Sequence, residues 1–413
     1  QVGNRKSFAE KWASALRSHE PPDVKNVAVA ARRWRLRPRV LFIDAFIPFY
    51  DRDAGSLRLA TIMSLVRQLG CDVFFYPGDG IAHEPYATAL RGQGIEILCR
   101  TRRRDARDIL ADRLPLVDVA WICRPELAEK YQSLLRTGNR RVYYDTVDLH
   151  FVRLQREAAV TGRNTAWQSM RQRELQLAKM ADGTIVSSPE EAAILEAEDV
   201  PNIHVIPPVH ARIERAQPWS DRRGFVFVGN FVHSPNVDAA IYLAKEVFPM
   251  IAERVPGARL TLVGNEPPPS VRALRSELVD VSGYVEDLEP FMQRARVFIA
   301  PIRFGAGIKG KIVQSMAYGV PVVTTPIGAE GIGLTHGVDA MIAESAAALA
   351  DFGVSLHEDE TQWQKFSTAA GERIAAFAPA AISAKLKTLL QPSQALTSNY
   401  ANTPMSKVCA TKE

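Results

Sequence analysis

Residues 300–323 read Ala300-Pro301-Ile302-Arg303-Phe304-Gly305-Ala306-Gly307-Ile308-Lys309-Gly310-Lys311-Ile312-Val313-Gln314-Ser315-Met316-Ala317-Tyr318-Gly319-Val320-Pro321-Val322-Val323. The apolar run Val297–Ala300 predicts a buried strand that ends at Pro301. Three glycines, Gly305, Gly307 and Gly310, follow, and apolar residues at helical spacing begin at Ile308. Val320–Thr325 is a second short apolar run. Strand, glycine loop, helix and strand in this order make a βαβ unit. Glycines let the backbone approach an anion closely, and free N–H groups at a helix start point toward it. Lys309 and Lys311 add positive charge where a diphosphate would lie. The alternative is a structural turn beside two solvated lysines.

Toward the N-terminus the same rhythm recurs. Phe225–Gly229 is a strand-like run, a helix is expected from about Pro235 to Arg254, and Leu260–Gly264 and Val279–Val285 are further runs. Before them, Ile206-Pro207-Pro208, Pro218-Trp219 and the polar Ser220–Arg223 break the pattern and mark an interdomain linker. Earlier still, Val40–Phe46, Val73–Tyr76, Ile95–Leu98, Val117–Cys123, Val142–Tyr144 and Thr184–Val186 alternate with amphipathic stretches such as Leu57–Leu69. These runs are short and apolar on both faces, as strands of a helix-covered parallel sheet are. The reading is therefore α/β, with two doubly wound parallel-sheet domains in tandem. Ligands of such sheets bind beyond the carboxyl ends of the strands, so the cleft between the domains is the expected site. Thr361–Leu390 reads as two helices and Gln391–Glu413 as a polar tail without periodicity.

A chain of 413 residues suits two domains of about 150–200 residues each. Apolar residues make up 46% and charged residues 23%, the profile of a soluble globular protein. The net charge of +5 is mild. Arginines cluster at Arg32–Arg39, where Trp34 is the single aromatic, and at Arg100–Arg107, which has none; one aromatic is not the row of stacking rings that a single-strand nucleic-acid groove uses. The cysteines, Cys71, Cys99, Cys123 and Cys409, form no Cys-x-x-Cys pair or metal-ligand spacing and are expected as free thiols of a reducing compartment. No apolar run reaches membrane-spanning length and no signal peptide is visible. The chain begins at Gln1, so a piece of a larger multidomain protein is an expectation.

Over roughly residues 38–390 the sequence resembles the retaining GT-B glycosyltransferases of family 4, the group 1 glycosyl transferases of bacterial polysaccharide type. The likeness lies in the order of strand, glycine loop, helix, Ala317-x-Gly319-x-Pro321-Val322-Val323 and Thr325-Pro326-x-Gly328-Ala329-Glu330-Gly331. It is greatest to the branch with Gly-x-Gly-x-Lys-x-Lys in the loop. The resemblance implies two Rossmann-like domains facing across a cleft. Residues 1–37 would be leader or linker, and 38–215 the acceptor-side domain. A C-terminal helix at about 377–392 would pack back on that domain. Residues 220–372 would form the nucleotide-sugar domain and 393–413 a mobile tail.

The resemblance also implies roles. Gly55 and Ser56 match a glycine loop facing donor phosphates; a plain helix cap by Asp53 or Ser56 is the other reading. Asp51 and Asp53 become acceptor-binding candidates. His150 matches a histidine that contacts the donor sugar, with Asp148 to orient it or meet the acceptor, and these two are the catalytic candidates. His233 stands second to them. Gly229, Asn230, Gly307, Ile308, Lys309, Lys311 and Gln314 fall on donor-binding positions. Tyr284 and Val285 border the nucleobase, while Asp287 is read as the cap of the next helix. Two family glutamates, eight positions apart, are here Ala306 and Gln314, and an Arg and a Lys of the family's diphosphate loop are here Asn230 and Pro235-Asn236.

The expected reaction moves a hexosyl or deoxyhexosyl group, with retention, from a UDP-, GDP- or dTDP-linked sugar to a glycan or lipid-linked acceptor. It would serve bacterial surface polysaccharide or lipopolysaccharide synthesis without metal or other cofactor. The expected location is the cytoplasm, with peripheral contact at the inner face of the plasma membrane, and no nucleic acid is expected as partner. Two rivals stand beside it: a GT-B sugar-nucleotide epimerase, and a degenerate nucleotide-binding or assembly domain. A dinucleotide oxidoreductase is disfavoured, since no Gly-x-Gly-x-x-Gly follows the first strand.

Overall fold

The computed structural model describes residues 2–16, 23, 37–214 and 216–391. Most of the arginine cluster 32–39, Cys409 and the expected tail 393–413 lie outside the described residues, as does much of the expected leader. Inside that leader, Val2–Lys11 and Ala13–Leu16 are helical.

Two separate parallel sheets are present. The first contains β1 (Arg39–Asp44), β2 (Asp72–Pro77), β3 (Glu96–Ile97), β4 (Val119–Cys123), β5 (Arg141–Asp145), β6 (Gly183–Val186) and β7 (Ile203–Val205), in the order β3-β2-β1-β4-β5-β6-β7. The second contains β8 (Phe225–Val228), β9 (Leu260–Val263), β10 (Val279–Gly283), β11 (Val297–Ala300), β12 (Val322–Thr324) and β13 (Met341–Ile342), in the order β10-β9-β8-β11-β12-β13. Central strands such as β4 are buried at every residue, because helices cover both faces. The helix Pro379–Leu390 sets Ile382, Leu386, Leu389 and Leu390 into the core of the first sheet, although it follows the second in sequence.

In each sheet the strand order reverses beside its first strand, between β1 and β4 and between β8 and β11. The loops after these four strands diverge there and open a crevice at the carboxyl ends. That geometry, repeated in two facing domains, positions the site.

Several expectations shift in detail. β7 and β13, three and two residues long at the edges of their sheets, were not expected. The helix expected from Pro235 to Arg254 is three pieces: Ser234–Tyr242, a π-turn at Leu243–Val247 and Phe248–Ala252. Pro249 has no N–H to offer a carbonyl one turn back, so the regular ladder widens before it. The strand expected at Val142–Tyr144 runs Arg141–Asp145, and His150, five residues on, opens the helix His150–Thr161. Asp287 does accept from Glu289 N at 2.8 Å, one residue outside the cap position that Leu288 occupies.

Candidate functional site

A cavity of about 620 Å³ lies between the two crevices and is lined by both domains. On the first-domain wall, β1 delivers Phe46, Phe49 and the start of the helix Ala54–Gln68. Asp53 caps that helix by accepting from Ser56 N at 2.8 Å. β4 delivers Arg124, whose backbone is left-handed (φ 69°) and whose Nε donates to Asp44 Oδ1 at 2.6 Å. β5 ends at Asp145, which accepts from Arg58 Nη1 at 2.8 Å and Trp121 Nε1 at 2.8 Å. Arg58 also donates to the Ile206 carbonyl, from Nε at 3.0 Å and Nη2 at 2.9 Å.

Val147 then takes φ 65°, an unfavourable region for a β-branched residue that costs about 1–3 kcal/mol. Its N–H is held by Asp145 Oδ1 at 3.0 Å. The turn presents Asp148 and His150 to the cavity. Asp148 lies 3.2 Å from His150 Nε2 and accepts from Arg153 Nε at 2.9 Å. Burial pushes the Asp148 carboxyl up, but His150 and Arg153 outweigh it and hold it well below the ordinary range. Burial likewise disfavours the His150 imidazolium, yet its bond to Asp148 and that carboxylate's charge leave the net shift upward. Behind the turn, Glu174 accepts from His150 N at 3.2 Å and Phe151 N at 2.8 Å, and burial pushes its carboxyl up to about 7.

The second-domain wall is built on the loops after β8 and β11. After β8, Gly229 lies so close to Asn236 that a side chain there would put its Cβ 2.9 Å from Asn236 Cβ. Asn236 Nδ2 donates to Asn230 O at 2.8 Å, and Asn230 Oδ1 accepts from Val232 N at 3.2 Å. These two side chains therefore build the turn itself. His233, also in the cavity wall, is pushed toward its neutral form by burial.

After β11, the loop leads into the helix Gly310–Ala317. Lys309 Nζ donates to Gly307 O at 2.7 Å and lies 3.6 Å from Glu330 Oε2. Burial lowers its pKa, and Glu330 opposes that shift. Glu330 is also gripped across the cleft by Arg156, with Nη1 and Nη2 at 2.6 and 2.7 Å, and Arg156 Nη1 donates to Gly305 O at 2.7 Å. Lys311 Nζ donates to Gln314 Oε1 at 3.1 Å. Among the described residues it has no carboxylate within ion-pair distance. Burial lowers it to about 8, against the pull of Asp53 and Asp51.

Of the expected site residues, Asp53, Gly55, Asp148 and His150 line the cavity from the first domain. Gly229, Asn230, Ile308, Lys309 and Lys311 line it from the second. Six do not. Ser56 is 1% exposed, its hydroxyl donating to Asp53 Oδ2 at 2.7 Å. Gly307 faces Ser187, Gln314 holds Lys311 from the side, and Val285 packs against the core. Asp51 accepts from Tyr86 at 3.1 Å and from Tyr284, which reaches it from the other domain. Arg52, Arg58, Arg124 and Arg153 line the cavity without having been singled out by sequence. Their signal was faint: Arg124 directly follows β4, but Arg58 and Arg153 lie within helices. Among the described residues no set of three His, Cys, Asp or Glu side chains is placed to hold a metal ion, and no helix is long and apolar enough to cross a membrane.

Residues 222–359 match the family described as "Glycosyl transferases group 1". A protein of Klebsiella pneumoniae described as an uncharacterized 44.6 kDa protein in the cps region is 30% identical over 134 residues. That match covers 30% of this chain and 34% of the relative, so it spans about a third of the relative's length. Among solved structures, the sucrose-phosphate synthase of Thermosynechococcus elongatus is similar with a TM-score of 0.65 at 16% identity, covering 88% of this chain and 100% of that one. HepE of Anabaena, solved with UDP-glucose, gives a TM-score of 0.64 at 16% identity, covering 85% of this chain and 99% of that one. The pneumococcal O-GlcNAc transferase GtfA, solved with UDP and GlcNAc, gives 0.65 at 10% identity, covering 86% and 99%. The fold is GT-B.

Proposed function

We propose that the chain transfers a sugar from a nucleoside-diphosphate donor, bound on the second domain, to an acceptor hydroxyl presented by the first. The observation that carries this reading is Lys311. It is a cation on the first turn of a helix, in the interdomain cavity, with no carboxylate partner among the described residues. A leaving diphosphate placed there meets the free amides of the Gly310–Ala317 helix and the Lys311 ammonium together, so charge developing on it is stabilised without reorganisation. Lys309 keeps the loop folded through Gly307 and Glu330. His150, raised toward its protonated form, donates to the sugar, and Asp148 orients it and meets the acceptor. Gly55 borders the phosphates from the first domain, and Asp53 faces the acceptor.

The match of residues 222–359 to group 1 glycosyl transferases supports sugar transfer, and the neighbours solved with UDP and UDP-glucose support the donor class. Family 4 membership, retention, transfer of a hexosyl or deoxyhexosyl group and independence from metal or other cofactor belong to the same proposal. So do UDP, GDP or dTDP as carrier and a glycan or lipid-linked acceptor. A role in surface polysaccharide synthesis draws on the cps-region relative. Contact with the inner face of the plasma membrane, from the cytoplasm, would use the exposed Arg100, Arg102, Arg103, Arg104 and Arg107.

A second reading, nucleotide binding without turnover, is favoured by one observation: neither family glutamate position supplies a carboxylate, since Ala306 has none and Gln314 is turned to Lys311. Thermal shift with UDP, GDP, dTDP and their sugar conjugates, followed by release of free nucleotide from the conjugate that binds, separates the two. Binding with release supports transfer. Binding without release in the presence of glycan and lipid-linked acceptors supports the second reading, and no binding overturns both.

A further inference from the structure

β6 ends at Val186, and Ser187 and Ser188 lead into the helix Pro189–Glu196, which Ser188 caps by accepting from Glu191 N at 3.2 Å. Glu191 is buried in its first turn and belongs to no ion pair among the described residues. Its Oε2 accepts from Ser187 N at 3.0 Å and from Ser187 Oγ at 2.7 Å, and its Oε1 accepts from Leu149 N at 2.9 Å. Having given its single proton to Glu191, the Ser187 hydroxyl is left as an acceptor, and it takes Ile308 N of the second domain at 3.2 Å. An unbroken path thus runs from Ile308 N through Ser187 Oγ and Glu191 to Leu149 N. One end is the glycine loop on which the diphosphate would rest. The other is the residue between Asp148 and His150.

The second domain is shaped to admit this contact. Gly307 has φ +63°, and a Cβ on it would fall 2.9 Å from Ser187 Oγ and 3.3 Å from Asp148 Cβ. A Cβ on Gly331 would fall 2.6 Å from Ser188 Cβ. The Ser187-Ser188 corner therefore sits between two positions where a side chain would force it out. At the other end, the left-handed Val147 means that the turn carrying Asp148 needs holding. Glu174 holds His150 N and Phe151 N, and Glu191 holds Leu149 N.

We propose that Ser187 and Glu191 are positioning residues that couple the seating of the second domain's glycine loop to the placement of the Asp148–His150 turn in the first. This rests on the donor-site reading above. Neither residue needs to touch the donor; they make the turn ready when the loop is occupied and the domains are closed.

The test is amide hydrogen exchange with UDP, GDP or dTDP added to the full chain, compared for the parent, Ser187→Ala and Glu191→Gln. In the parent, a bound nucleotide slows exchange in the loop 305–312 and also in the turn 147–151. In Ser187→Ala the loop slows and the turn does not. Glu191→Gln gives the same split, because one end of its amide is an N–H₂ that cannot accept, so the link to Ser187 or the link to Leu149 N is broken whichever way it turns; it serves as the independent variant should Ser187→Ala fail to fold. In turnover, both variants lose about tenfold in kcat with KM for the nucleotide-sugar within about twofold, as a misplaced turn with an intact donor loop requires. A turn that slows equally in parent and variants, or not at all in the parent, overturns the coupling and leaves the donor site standing. If no nucleotide slows the loop, the donor-site reading fails and the coupling fails with it.

Discussion

On the first-domain wall of the cleft, Arg58 is bonded to Asp145, Arg124 to Asp44 and Arg153 to Asp148. On the second-domain wall, Lys309 is shared between Gly307 O and Glu330, while Lys311 has only the neutral Gln314. A buried cation with its own carboxylate is neutralised before any ligand arrives and serves mainly to fix geometry. One without a carboxylate carries a desolvation penalty that an incoming anion relieves. Arg58, Arg124 and Arg153 of the first wall are thus neutralised, with Arg52 at its exposed rim donating to Tyr86, while the second wall leaves Lys311 without a carboxylate among the described residues, beside a helix N-terminus. In the proposed donor complex, the ligand's phosphates would supply the missing negative charge.

The largest expected effect lies on the first wall. Arg58→Ala strands the buried Asp145 and frees the Ile206 carbonyl, so it should destabilise the fold by about 3–5 kcal/mol, read as a lower midpoint in urea unfolding. A normal midpoint with lost nucleotide binding would instead make Arg58 a ligand residue and break the comparison. Next is Lys311→Ala, which should weaken nucleotide binding by about 2–3 kcal/mol, on the order of 100-fold, with little change in melting without ligand. Lys309→Ala should weaken it by only about 1 kcal/mol, through a looser loop. Calorimetry on the three variants sharpens the contrast between the walls.

The pH response is the smallest effect. Lys311, lowered to about 8, is charged below that pH and neutral above it. Nucleotide affinity should be full below pH 8 and decline as pH rises through it. The ligand-free fold should behave oppositely. Its unfolded state keeps the Lys311 proton to a higher pH than the folded state, so this group's contribution to stability rises with pH above about 8. Both trends should vanish in Lys311→Met, measured by calorimetry and thermal melting from pH 7 to 9.5.

The fold was legible because buried parallel strands write themselves as short two-faced apolar runs, as in β4 and β11, and because Gly305, Gly307 and Gly310 punctuate one of them. The edge strands β7 and β13 were missed; β3 and β12 are as short but stand within the longer apolar runs Ile95–Leu98 and Val320–Thr325. The site was legible at its loops and not in its pairings. Lys309 and Lys311 look equivalent in sequence. What separates them is Glu330, on another loop, and Arg156, from the other domain. Ser56 matches a phosphate-loop position, but Asp53, three residues earlier, takes its hydroxyl for the helix cap. Tyr284 and Asp51 lie 233 residues apart and meet only because the domains face each other. Local pattern fixes which loops surround the cleft, while partner choice within it depends on contacts distant in sequence.

The most direct test of the central claim is calorimetric titration of UDP, GDP and dTDP into the parent, Lys309→Ala and Lys311→Ala at pH 7. The account predicts that one nucleotide binds the parent, that Lys311→Ala loses on the order of 100-fold, and that Lys309→Ala loses far less. Equal losses from both lysines, or binding that ignores Lys311, would contradict it.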